Sequence, residues 1–268
     1  MLSEMIMSRI EMLKNDIVED EEVDSRFFMS SWVPVTVTLV AYLVFVLYIG
    51  PKWMATRKPF QINRILMVYN LGQTLASLYV VSSAMRPQIL TYLFYISCMA
   101  HNKTHHPLWP TFMYNAYIYV LIKTVDLLDT VFFVLKKKQS HITFLHVYHH
   151  AAMLLTSWAY LRFIKGEQVI FLGALNCLVH AIMYSYYFFA SFGPKAQKYL
   201  WWKKYITKLQ MTQFILIALH QWALILFNCK VPVLISYSII AQNVLFVILF
   251  WNFYYKTYLK KSSRKKGI

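Results

Sequence analysis

The sequence predicts an all-α integral membrane protein, and three observations carry that prediction. Its 268 residues are 59% hydrophobic and only 14% charged, with a mean hydropathy of +0.45, a balance that an ordinary soluble domain does not reach. Apolar stretches of about 20 residues, the length that crosses a bilayer, recur along the chain. The basic residues collect in alternate connecting segments, as they do in the cytosolic loops of multi-pass proteins.

Seven helices are expected, over 33–49, 65–84, 113–135, 144–161, 169–192, 205–227 and 231–254. The polar turn at 162–167 separates the fourth from the fifth, and an apolar stretch at 89–100 leaves the end of the second open. Residues 1–31 are read as a luminal N-terminal segment. They lack a continuous apolar core and are acidic where a cleavable signal is basic. Leu2, Met5, Ile6, Ile10, Leu13 and Ile17 recur at helical spacing, which suits a short amphipathic helix on the membrane surface. With no repeat or linker dividing the remainder, 32–255 is read as one seven-helix domain, and 256–268 as a basic tail. Trp32, Trp53, Trp201 and Trp202 fall near the expected interfaces, where amphipathic rings anchor.

With a luminal N-terminus, the cytosolic segments hold 18 of the 27 Lys and Arg, eight lie on the other side, and Lys123 lies inside the third helix. The odd helix count then places the C-terminus in the cytosol. Eight of the 11 acidic residues lie at or before Asp24, leaving only Asp126, Asp129 and Glu167 beyond it. So basic a membrane body attracts anionic headgroups or a phosphorylated ligand, although topology alone accounts for most of the individual lysines.

Polar residues gather at one depth. At ~1.5 Å rise per residue, Asp129 lies roughly 9 Å and His149 roughly 8 Å from the expected cytosolic ends of their helices, with Tyr184 and Gln210 in a similar layer. Lys123, Asp126, Asp129 and Thr130 share a stripe by their spacing of three and four, and His146, His149 and His150 share another. Asn176, His180, Met183, Tyr184 and Tyr187 line the fifth helix, and Thr207, Gln210 and Gln213 the start of the sixth. One Lys or Asp at a helix centre costs ~2.5–3.5 kcal/mol on insertion scales, so three on one segment need an offset. Either the groups satisfy one another, Lys123 neutralising Asp126 or Asp129, or they line a cavity open to the cytosol in which imidazoles do nucleophilic or acid–base work.

Four segments, Lys123-x-x-Asp126-x-x-Asp129-Thr130, His146-x-x-His149-His150, Asn176-x-x-x-His180-x-x-Met183-Tyr184-x-Tyr186-Tyr187 and Thr207-x-x-Gln210-x-x-Gln213, resemble in order the signatures of the ELO family of very-long-chain fatty acid elongases. The likeness spans about 30–255. One departure is visible, since that family usually carries Glu where this chain has Asp126. A charge-pairing role survives the shorter side chain, whereas a role needing the longer reach does not. The resemblance implies helices two to seven around a substrate tunnel. It also implies condensation of a long acyl-CoA with malonyl-CoA to β-ketoacyl-CoA, carbon dioxide and CoA, with no bound cofactor. Either His149 forms an acyl-imidazole, or a histidine serves as base or oxyanion donor while the acyl group passes directly between thioesters. On this reading His150 and His146 position and transfer protons, Asn176 and His180 polarise a carbonyl, and Asp129 orients a histidine. Lys123, Asp126, Tyr184, Tyr187, Lys204, Thr207, Gln210 and Gln213 contact substrate. The implied partners are both CoA thioesters, membrane lipid, the reductases and dehydratase of the elongation cycle and a second copy of the chain, with no nucleic acid.

Two other classes share some of these features. The HxxHH box also resembles part of di-iron membrane desaturases and hydroxylases, and His101-x-x-x-His105-His106 imitates another of their boxes. Of the nine histidines, the expected topology puts those three across the membrane, His220 near the luminal end of the sixth helix and His180 near mid-membrane, leaving only His141, His146, His149 and His150 near the cytosolic face, too few for two metals. A transporter with Lys123, Asp126 and Asp129 as an ion relay would show paired Gly or Pro interruptions, which no helix has.

The same topology places Cys98 and Cys229 in the oxidising lumen and Cys177 inside the fifth helix, so a Cys98–Cys229 disulfide is expected, with free thiols the alternative. Asn102-Lys103-Thr104 is a glycosylation sequon on that side. Lys265 and Lys266, fourth and third from the C-terminus, resemble a dilysine retrieval signal, so the expected location is the endoplasmic reticulum membrane, N-terminus luminal and C-terminus cytosolic.

Overall fold

The computed structural model describes residues 16–87, 89, 107–166, 169–229 and 231–260. In chain order its helices are α1 (Glu21–Asp24), α2 (Val33–Met54), α3 (Asn63–Ala84), α4 (Trp109–Asp126), α5 (Leu128–Leu135), α6 (Phe144–Ala159), α7 (Ile170–Ala190), α8 (Pro194–Gln197), α9 (Lys203–Leu226) and α10 (Val233–Leu259). No strand occurs among the described residues. π turns interrupt α2 at Phe45–Ile49 and end α10 at Tyr255–Leu259, and a third, Tyr160–Ile164, follows α6. The expected amphipathic helix (but for Ile17), Cys98, His101, His105, His106, the sequon at Asn102, and Lys265 and Lys266 lie outside the described residues.

Five helices, α2, α3, α7, α9 and α10, are long and apolar enough to cross a membrane, which makes this a multi-pass membrane protein. Side-chain placement agrees. On α3, Asn70, Gln73, Thr74 and Ser77 are buried while Ile65, Val68, Leu71, Leu75 and Leu78 are exposed. A helix in water does the reverse. Here the apolar face meets lipid and the polar face turns inward.

The expected third helix is two. α4 ends at Asp126 and α5 begins at Leu128, with Leu127 N–H bonded to Thr124 O and Thr130 N–H to Leu127 O, the tighter i−3 pattern. Thr124 Oγ1 bonds back to Val120 O at 2.9 Å, a contact that bends helices. The signature around Lys123 and Asp129 therefore straddles a break.

The chain forms two compact units, Met1–Gln61 with Ala100–Glu167, and Ile62–Met99 with Gln168–Ile268. In the first, α2 packs on α5 and α4 on α6. Residues before α2 clasp the end of α6. Lys165, in the left-handed conformation (φ 48°) just past the π turn, is buried and donates to Val18 O (2.6 Å) and Arg162 O (2.7 Å). Its ammonium lies 2.9 Å from Asp24, which also meets Arg162 at 2.6 Å. Trp109 Nε1 donates to Asp20, and Trp158 Nε1 to Phe28 O.

In the second unit α7 packs on α3 and on α9, and α9 pairs with α10. The Tyr69 and Tyr184 hydroxyls are 3.4 Å apart, and Phe214 lies between Phe246 and Phe250, with ring centroids at 5.2 and 5.1 Å. Cys177 is buried and forms no disulfide, and the buried Cys229 is half of one. Neither an Asp nor a Glu occurs anywhere in this unit.

Partial burial raises the Asp24 carboxyl, but its bonds to Arg162 and Lys165 outweigh that and hold it below its ordinary value of 3.8. A depressed carboxylate contributes stability in full above that value and loses it as pH falls through the lower folded-state value. Asp24→Asn leaves the buried Lys165 ammonium with only its two carbonyl acceptors, a loss of about 1.5–3 kcal/mol for a charge-assisted hydrogen bond to a partly exposed carboxylate. Thermal unfolding in detergent should show a lower midpoint for this variant at neutral pH, with the difference shrinking below pH 3.8.

Candidate active site

The histidine helix begins where the sequence makes it begin. Thr143 has extended backbone (φ −91°, ψ 160°), and its hydroxyl accepts from His146 N–H at 3.2 Å. That N-cap fixes the first turn of α6, so His146 and His150 fall one turn apart on one face, with His149 alongside. The rings of His146 and His150 lie 4.4 Å apart at 59°, and those of His149 and His150 5.5 Å apart at 84°. His150 is buried, while His146 and His149 are half-buried. His146 Nε2 is itself buried with no hydrogen-bond partner among the described residues. The group thus sets the half-buried His149 ring edge-on to the buried His150, while the half-buried His146 has its Nε2 enclosed.

α4 and α5 carry the charges. Lys123 Nζ meets Asp126 Oδ2 at 3.0 Å, both side chains 2% exposed, and the ammonium also lies 4.9 Å from the centre of the Tyr119 ring. The internal pair raised from sequence is therefore formed, and Asp suffices for it because the partners sit three residues apart on one helix. Asp129 lies in the first turn of α5, where the exposed N–H groups favour a carboxylate, and it is half-buried. Thr130 Oγ1 and the Tyr42 hydroxyl are 2.8 Å apart. Phe133, one turn beyond Asp129, stacks at a tilt on His146 with centroids 5.1 Å apart.

In the second unit α7 buries Asn176, His180 and Tyr184 on one face and leaves Tyr187 at its edge, 38% exposed. The ring of Tyr184 lies 5.7 Å from that of His180 and 6.2 Å from that of Tyr187. Gln210 Nε2 contacts Met183 Sδ at 3.4 Å, Gln213 and Thr207 are buried, and Thr207 hydrogen-bonds Tyr258. Lys204 is exposed, with its ammonium 5.0 Å from the centre of the Tyr205 ring.

Within the first unit the structure joins Lys123 to Asp126 and groups His146, His149 and His150, and within the second it groups His180, Tyr184 and Tyr187 and sets Gln210 against Met183, while Lys204 stands at the surface. Tyr42, Thr143, Phe133 and Tyr69 were missed. Thr143 carried a readable signal, a Thr immediately before an apolar-periodic run. Tyr42 and Tyr69 carried none beyond a hydroxyl inside an apolar segment. Among the described residues, no three His, Cys, Asp or Glu side chains come together in an arrangement able to hold a metal ion.

The sequence pattern of the ELO, GNS1/SUR4 family matches residues 27–266. A human protein named very long chain fatty acid elongase 4 is 36% identical over 250 residues, covering 93% of this chain and 79% of that one. Very long chain fatty acid elongase 7 of Drosophila melanogaster is 37% identical, covering 89% and 73%, and the Rattus norvegicus protein of that name is 37% identical, covering 90% and 86%.

The Lys123–Asp126 pair makes a double-mutant cycle informative. Lys123→Met or Asp126→Asn alone leaves one buried charge and should cost about 3–5 kcal/mol, whereas the double variant should recover most of that loss. Thermal midpoints of the four purified proteins measure the coupling, and additive losses would count against the pair.

Proposed function

The chain belongs to the ELO family, and from that premise we propose that it is a fatty acid elongation enzyme catalysing the condensing step, acyl-CoA plus malonyl-CoA to β-ketoacyl-CoA, carbon dioxide and CoA. The observation that carries the reading is the imidazole cluster of α6, with a partly accessible His149 beside a buried His150 and a buried, unbonded His146 Nε2. A ring nitrogen of neutral His149 attacks the thioester carbonyl. The carbon–sulfur bond breaks, the ring proton passes to the sulfur, and CoA leaves. Malonyl-CoA then loses carbon dioxide, its enolate carbon attacks the acyl-imidazole, and the carbon–nitrogen bond breaks. The imidazolate so released takes up a proton from solvent, relayed through His150 and His146, and the net reaction consumes that proton.

Asp129 orients a histidine, and Asn176 and His180 polarise the reacting carbonyl, in line with the family resemblance. Lys204, Tyr187 and the Thr207–Gln210–Gln213 face serve the polyanionic CoA group, while Lys123 and Asp126 hold their helix by pairing with each other. Supporting this role is the lack of Asp and Glu in the second unit, so that no acidic side chain of that unit competes with an anionic ligand for its lysines. Seven crossings, with helices two to seven around an acyl tunnel, belong to the same proposal. So do an endoplasmic reticulum location with a luminal N-terminus and a Cys98–Cys229 disulfide. The helical stretches at 109–135 and 144–164 supply the two further crossings.

The test incubates purified wild type and His149→Ala with a panel of acyl-CoAs and labelled malonyl-CoA. Wild type should form β-ketoacyl-CoA and should release CoA before malonyl-CoA is added. The variant, equally folded, should do neither, with activity down at least ~10³-fold as expected for loss of a nucleophile. Retained activity in the variant would remove His149 from its role. Wild-type product without early CoA release would select direct transfer.

A further inference from the structure

α5 is only eight residues long and is gripped from two directions. Thr130 and Val134, one turn apart, meet α2. The buried hydroxyls of Tyr42 and Thr130 are 2.8 Å apart, and Val134, fully buried, packs where Gly50 brings the backbone of α2 close. A Cβ at Gly50 would come within 2.7 Å of Val134 Cγ1 and 2.8 Å of Phe45 O, so only glycine permits this approach. Asp129 and Phe133, also one turn apart, form the adjacent stripe. Phe133 lies 5.1 Å from His146 and 5.2 Å from His141, and His146 in turn 4.4 Å from His150. The break at Leu127 frees α5 from the register of α4, so its rotation is set by these lateral contacts.

We propose that Tyr42 is a positioning residue for the histidine helix. Through Thr130 it fixes the rotation of α5, and so the placement of Asp129 and of Phe133 against His146, while Gly50 admits α2 to the distance at which that bond forms. This assigns a part in the chemistry to α2, which holds none of the four signature segments, and it rests on the condensing reading above. Turning α5 by one residue would sweep its face through about 100° and carry Asp129 away with Phe133. Smaller slippage would misplace both by a fraction of that.

The experiment measures kcat and KM per folded molecule for wild type, Tyr42→Phe, Thr130→Val, the double variant and Thr130→Ser. Loss of one buried neutral hydrogen bond acting through geometry should lower kcat roughly tenfold, with KM for both thioesters within about twofold of wild type. The double variant should be no slower than either single one, and Thr130→Ser, which keeps the hydroxyl, should restore wild-type turnover. Gly50→Ala, which forces the helices apart without touching the hydroxyls, should lower kcat in the same way. Wild-type kcat in Tyr42→Phe with only a lower thermal midpoint would overturn the proposal, as would losses that multiply in the double variant. If wild type itself forms no product, the condensing reading fails and takes this inference with it. Active wild type with unaffected variants removes this inference alone.

Discussion

Lipid offers no hydrogen bonds, and a polar group placed inside this protein is therefore costly unless it finds a partner in the protein. That constraint turns the helices inside out. α3 presents Asn70, Gln73, Thr74 and Ser77 inward and its leucines outward, and α7 does the same with Asn176, His180 and Tyr184. It joins Lys123 to Asp126 at 3.0 Å in a 2% exposed setting, where either group alone would be costly. It also explains why Lys165, buried at the end of the π turn, gathers two carbonyls and the Asp24 carboxylate. Apolar burial of side chains against one another is secondary here, because a leucine is as comfortable in lipid as in the core.

The membrane character, the helical content and the faces bearing the signature residues were legible in the sequence, because hydropathy and three-or-four spacing survive any arrangement of the helices. The long segments at 33, 65, 169, 205 and 231 each became a helix of spanning length. Two things were not legible. The segment from 113 to 135 reads as one apolar run, yet Thr124 and Leu127 redirect its hydrogen bonds and split it, a local competition that hydropathy does not register. Contacts between distant segments were equally hidden. Tyr42 meets Thr130 across 88 positions and Tyr69 meets Tyr184 across 115, and nothing near either residue announces the partner.

The candidate site shows the same division. Spacing put three histidines on one face, and Thr143 could be read as the residue that starts their helix. That Phe133 supports His146 was not readable from spacing, and of the alternatives open for Lys123 the structure shows the pair with Asp126. Substituting Asp for the usual Glu at position 126 keeps its ion pair intact, since a partner one turn away is within reach of either carboxylate.

Both units are assembled from separated stretches of chain. The clasp joins Val18 and Asp24 to Lys165, and α3 packs on α7, so the earliest segments of each unit find their partners only after some 100 or more further residues have been made. A ribosome building this protein thus releases its first helices into the bilayer as unfinished surfaces. The polar face of α3 waits there until α7, from Ile170 onward, has been made, so that maturation is set by the order of synthesis as much as by the stability of the finished fold.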